Sequence, residues 1–300
     1  MNNNKIIRFL LLLGLVVSSV GLGYGLSLDM MEHKNVELAN QNTQEVIKSE
    51  EDIYKFDKDT RTILGFKDDY DFDKYTLTIP SLIDGVEVKH IADNAFDIVK
   101  IAELNLPDGV ESIGEASFLA SNLTSLEIPD SVESIGAYAF VNSRLRSLSL
   151  PESVEIIGNS AFSSSNLTSL KLPENLKIIG SNAFRGSNLT NLEIPDSVEV
   201  IGNDAFFDSK LTNLKLGDNL LKIGDYSFYN SELRSLNLPE NVEIIGNSAF
   251  SQSELRSLKL SENVEFIGFC AFASADLTNK LNMSDYPNLK TVGVDLNIFE

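Results

Sequence analysis

Nine phenylalanines, from Phe96 through Phe118, Phe140, Phe162, Phe184, Phe206, Phe228 and Phe250 to Phe272, follow one another at steps of 22 residues. Nothing else in the chain restricts its fold so tightly. A period of this size marks stacked units that cannot bury their apolar faces alone. Glycines keep the same step from Gly114 to Gly268, and an isoleucine precedes each one. The few large apolar side chains of one unit cannot offset the entropy lost in ordering its backbone. One turn alone is therefore expected to be unfolded, and stacked turns to support one another.

In the unit that starts at Leu167, the residues Leu167, Leu170, Leu172 and Asn175 follow the spacing L-x-x-L-x-L-x-x-N. Alternation along the short strand turns both Leu170 and Leu172 inward and Lys171 outward. Proline closes the strand at Pro107, Pro129, Pro151, Pro173, Pro195 and Pro239, with Gly217 and Ser261 in its place elsewhere. Two residues further on, Ser131, Ser153, Asn175, Ser197, Asn219, Asn241 and Asn263 offer short polar side chains that can bond turn backbone otherwise buried unpaired. The second half, V-x-x-I-G-x-x-A-F, brings the chain round; its glycine is expected to supply a backbone angle that other residues resist.

Together the halves, LxxLxLPxSVxxIGxxAF, resemble the BspA-like leucine-rich repeats, also called the Treponema pallidum type. The resemblance implies a repeat solenoid of leucine-rich-repeat type, in the α/β class and curved. About nine turns of 22 residues would stack, with a parallel sheet of short strands on the concave face and short helical or 3-10 turns on the return. Residues 101–276 supply eight repeats. Residues 53–100 look like an N-terminal capping module that opens with a hairpin in YKFDKDTRTILGF, and residues 277–300 like a degenerate C-terminal capping repeat.

Ahead of the repeats, Lys5 and Arg8 precede an uncharged stretch from Phe9 to Leu28 with the small residues Ser19, Gly21 and Gly25. Residues 1–26 read as an export signal. The run at 9–28 is also long enough to cross a bilayer as a retained anchor, so cleavage and retention both stay open. In either case the repeats face outward, and residues 27–52 are a polar spacer. The expected location is extracellular or on the cell surface.

A net charge of −20 weighs against nucleic acid, whose phosphates call for Lys and Arg, and against anionic lipid; membrane contact is expected only through the N-terminal anchor. One cysteine, Cys270, leaves a monomer without internal disulfides, held by stacking. Catalysis finds little material. His33 lies in the spacer and His90 in the entry module, and no repeat hydroxyl is expected within reach of a base. Cys270 has no cation near it in sequence to lower its pKa. Asp69, Asp71 and Asp73 match the first ligands of a calcium loop, but Lys74 and Pro80 stand where Gly and Glu are needed. Two acidic columns, one from Asp108 to Glu262 and one from Glu111 to Glu265, read as a solubilising edge, with weak divalent-cation binding along the ladder as the alternative. No enzyme, cofactor or resident metal is expected.

The outward strand positions form the natural binding surface of a solenoid. Glu127, Lys171, Glu193, Lys215 and Lys259 lie in one column, Asn191 and Asn213 in its neighbour, and Arg146, Arg234 and Arg256 flank them. The family resemblance implies adhesion to host, matrix or other cell-surface proteins through such a face. The alternative is a structural spacer or cell-envelope scaffold without a specific ligand.

Overall fold

A computed structural model describes residues 53–67, 75–290 and 298–299, all within the compact unit Ser49–Glu300. The signal or anchor, the spacer, His33 and the Asp69–Asp73 run fall outside the described residues. None of the described helices is long and apolar enough to cross a membrane.

The unit is a parallel β-solenoid of eight full turns, preceded by an entry turn, with almost no helix. Successive turns stack in strict 22-residue register, as in Ser169 against Ser147 and Leu170 against Leu148. Strands at L-x-L, such as Ser147–Ser149 and Ser169–Lys171, pair two turns at a time beyond a first group of three. The unbroken ladder lies on the next side of the turn. There, two-residue strands such as Ile156–Ile157 and Ile178–Ile179 run in an 11-stranded sheet. Antiparallel strands Tyr54–Asp57 and Thr62–Phe66 start that sheet, with Ile63 in register with Ile91. The hairpin thus covers an edge that would otherwise offer unpaired backbone groups.

The third side, where helical turns were expected, is built from stacked hydrogen-bonded turns. Phe140 N donates to Ala161 O at 2.8 Å and Phe162 N to Ala183 O at 2.9 Å. Two residues per turn take left-handed backbone: the column from Asn94 to Cys270 has φ of 51–59°, and the column from Ile98 to Ser274 has φ of 57–80°. Asn, Asp and Gly tolerate this readily; Tyr138, Tyr226 and Ile98 are held there by bonds to the neighbouring turns.

One expectation is corrected. The glycines from Gly114 to Gly268 do not have left-handed φ; they are needed for closeness. A Cβ on Gly158 would lie 2.6 Å from the carbonyl carbon of Gly136.

Between the three sides runs a single apolar strip, in which all nine phenylalanines are fully buried. The polar residues after the prolines bond backwards rather than within their own turn: Ser153 Oγ donates to Val132 O at 2.6 Å and Asn175 Nδ2 to Glu152 O at 3.0 Å. A second ladder uses side-chain oxygens as acceptors. Asn203 Oδ1 receives the Asp225 N–H at 2.9 Å, Asp225 Oδ1 the Asn247 N–H at 2.6 Å, and Asn247 Oδ1 the Phe269 N–H at 2.8 Å.

Candidate protein-binding face

In each L-x-L strand the central leucine packs inward and its neighbours face solvent; Asn191–Glu193 and Ser257–Lys259 show the pattern. All ten candidate residues, Glu127, Arg146, Lys171, Asn191, Glu193, Asn213, Lys215, Arg234, Arg256 and Lys259, are exposed. The 22-residue register brings some of them together. Asn213 Nδ2 donates to Asn191 Oδ1 at 2.7 Å, and the Lys215 ammonium pairs with Glu193. That hydrogen bond raises the Lys215 pKa above its ordinary value. Lys259 instead reaches sideways to Glu240 at 3.2 Å, Arg234 pairs with Glu254 at 3.1 Å, and Arg256 with Asp276.

Open grooves run along this face. One of about 500 Å³ is bordered by Glu103, Asn105, Glu127 and Arg146. Another of about 520 Å³ is bordered by Asn191, Glu193, Asn213 and Lys215. Lys171 borders a third with Glu127, Asp130 and Glu152. The linings are short polar side chains over leucine, with carboxylates and a single basic side chain in each groove. Such a surface suits many distributed polar contacts rather than enclosure of a small molecule.

The second acidic column is partly neutralised by lysines within it and just before it. Lys177, which breaks the second column, bonds Glu155 at 2.8 Å, and Lys89 bonds Glu111 at 3.0 Å. In the first column, Glu152 Oε2 accepts the Glu174 N–H at 2.7 Å. Among the described residues no three His, Cys, Asp or Glu side chains converge to hold a metal.

His90 departs from expectation. Its Nδ1 lies 2.9 Å from Ser112 Oγ, because the two share a column and the register stacks them. The pair stands on the outer face of the sheet, and among the described residues no carboxylate bonds the other ring nitrogen, so the orienting third group of a nucleophilic triad is missing.

Sequence reading also missed an aromatic cluster on the third side. Arg185, Phe207 and Tyr229, in successive turns, stack on one another beside Tyr226. Reading down the column that follows each core phenylalanine would have found it.

A model of the BspA type leucine rich repeat region matches residues 89–209 and 177–295, in six copies. No curated protein matches the sequence. Among solved structures, a leucine-rich repeat protein from Bacteroides ovatus is similar at 21% identity and a TM-score of 0.53, over 74% of this chain and 78% of that one. A leucine-rich repeat protein of T. pallidum is similar at 28% identity and a TM-score of 0.51, over 59% of this chain and 84% of that one.

Proposed function

The chain belongs to the BspA-type leucine-rich repeat family, and we propose that it works as an exported, cell-surface, non-enzymatic module that binds and adheres to other proteins. The observation that carries this reading is the strand face. Turn after turn presents exposed polar and charged side chains at fixed spacing, with grooves between them. Residues 1–26 direct export, residues 9–28 serve as anchor where the signal is kept, and the module acts as a monomer. Its partner is a host, matrix or cell-surface protein with surface charge of both signs, matching Glu127 and Glu193 as well as Lys171, Lys215 and Lys259. No aromatic side chain stands among these ten residues, so affinity is spread over many contacts rather than fixed by a few anchors.

The test is saturable binding of the purified protein to a panel of extracellular matrix and plasma proteins at physiological salt. Changing Lys171, Lys215 and Lys259 together to Ala should weaken binding by roughly tenfold or more. Silence across the panel would favour the spacer reading, which the plain column Ser125, Ser147, Ser169 and Ser235 supports.

A further inference from the structure

The outward column just ahead of the L-x-L strands carries threonine in most turns and arginine at Arg146, Arg234 and Arg256. These arginines do not keep the same company. Arg234 Nε donates to a Glu254 carboxylate oxygen at 3.1 Å, and Arg256 pairs with Asp276. Each of these acids stands 20 residues on, in the following turn. For Arg146 that place is held by the neutral Asn166, and among the described residues Arg146 has no ion pair.

Arg144 adds a second cation. It and Arg146 are exposed on either side of the buried Leu145, and among the described residues Arg144 has no ion pair either. The stacked register then surrounds both with neutral side chains. Arg144 N donates to Leu123 O at 2.7 Å and Thr168 N to Arg146 O at 2.9 Å, which sets Asn122 and Thr124 in the turn before and Asn166 and Thr168 in the turn after. In a chain of net charge −20, two adjacent guanidiniums are left unanswered.

Arg146 also borders the open groove of about 500 Å³, next to Ser147 and over Leu104 and Leu126. Glu103 and Glu127, from the two preceding turns, line the same groove, and Glu103 accepts a hydrogen bond from Thr76 Oγ1 at 3.0 Å. Their charge confines an incoming anion to the arginine side. What answers an arginine of this column is visible twice in the fold itself, at Glu254 and Asp276: a carboxylate, whose oxygens match the guanidinium N–H donors. We propose that Arg144 and Arg146 receive an acidic side chain of the protein partner, in the place that Glu254 fills for Arg234. The assignment rests on the strand face being the binding surface, and it names the chemistry of one contact there.

The experiment follows the arginine Nε–H signals of the full chain by magnetic resonance at low ionic strength, where screening is weak. Arg144→Lys, Arg146→Lys and Arg234→Lys assign the signals. The probes are acetyl-Glu-Gly-Glu-amide, acetyl-Gln-Gly-Gln-amide and sodium sulfate. The glutamate peptide should shift the Arg144 and Arg146 signals saturably, with the glutamine peptide at least about fivefold weaker. Arg234 should move less, because Glu254 already holds it. Asn166→Glu, at an exposed position, should weaken binding at Arg146 at least about threefold, since the new carboxylate both occupies the guanidinium and repels the probe. The proposal is overturned by no response to the glutamate peptide, by equal binding of the glutamine peptide, by an undiminished response in Asn166→Glu, or by an equal shift at Arg234. Saturation by sulfate with none by the glutamate peptide would overturn it in favour of a general oxyanion site. No partner protein is needed, so silence here beside binding on the protein panel would refute this contact alone. A response here beside silence on the panel would keep the contact and remove the wider reading.

Discussion

The ring of Phe162 lies parallel to that of Phe184, with planes 3° apart and centroids 5.6 Å apart. The relation recurs to Phe250 and Phe272, at 4° and 5.5 Å. At the entry end Phe66 meets Phe96 edge-on at 5.0 Å, and Tyr54 stacks on Phe66 at 5.8 Å. Stacked aromatic rings add to the stabilisation from their buried area, and here each ring from Phe118 to Phe250 belongs to two turn-to-turn contacts.

Phe184→Ala should therefore lower unfolding free energy by ~3–5 kcal/mol, the range for deleting a buried ring. Because each turn contacts only its neighbours, the loss should also split the unfolding transition in urea into two resolvable halves. A single, unshifted transition would contradict both statements.

Glycines in this solenoid fall into two kinds, and substitution separates them. A Cβ on Gly224 would lie 2.5 Å from the carbonyl carbon of Gly202. That contact is with backbone, so no side-chain rotation relieves it, and Gly224→Ala should cost ~1–3 kcal/mol or more. Gly186 has φ of 71°, with nothing nearer than 4.0 Å to its Cβ direction. Asn142 and Asn230 hold the same column at φ of 60° and 59°, so Gly186→Asn should stay within ~1 kcal/mol of wild type, helped by lower unfolded-state entropy. Thermal unfolding of the two variants side by side checks the contrast.

These glycines also show what the sequence reveals and what it hides. The columns of Phe, Ile and Gly announce a 22-residue solenoid because the core repeats the same packing problem in every turn. The reason for the glycine is hidden, since crowding by the preceding turn and a left-handed angle select the same residue. The left-handed positions are hidden too: Ala116, Tyr138, Ser160 and Cys270 share no chemistry, and bonds such as Tyr138 N to Asn159 O at 2.8 Å hold their angle. Outward strand residues such as Lys171 and Glu193 were legible from alternation. Arg185, Phe207 and Tyr229 share a column in the sequence too, but that the three side chains stack on one another shows only in the structure.

Buried hydroxyls give a prediction of opposite sign. Ser227 is fully buried, and its Oγ has no hydrogen-bond partner among the described residues. Alanine occupies the same position at Ala139, Ala161, Ala183, Ala205, Ala249 and Ala271. Ser227→Ala should raise stability by ~1 kcal/mol, because an enclosed hydroxyl without a partner is a net cost. Ser209, equally enclosed, should respond the same way. Equilibrium denaturation of both variants is sufficient, and destabilisation in either would mean that its hydroxyl is satisfied in solution.

Two ion pairs between adjacent turns should respond to pH in opposite directions. Glu111 is held below its ordinary value chiefly by its hydrogen bond to Lys89, while Lys177 is raised above 10.5 chiefly by its hydrogen bond to Glu155. For Glu111 the folded state binds the proton less tightly than the unfolded chain. Its contribution is thus present above the ordinary glutamate range and lost as pH falls through the depressed value. For Lys177 the folded state binds the proton more tightly, so the contribution is complete below 10.5 and lost as pH rises through the raised value. The gap in urea midpoint between wild type and Lys89→Met should accordingly narrow from about pH 6 to about pH 3. The gap for Lys177→Met should narrow above about pH 10. The Lys177–Glu155 pair is exposed and the Lys89–Glu111 pair half-buried, so both gaps should also shrink in about 1 M salt, the first more than the second. A gap for Lys89→Met that persists at about pH 3 and in high salt would assign the role of Lys89 to packing of its aliphatic stem, which neither proton nor salt can weaken.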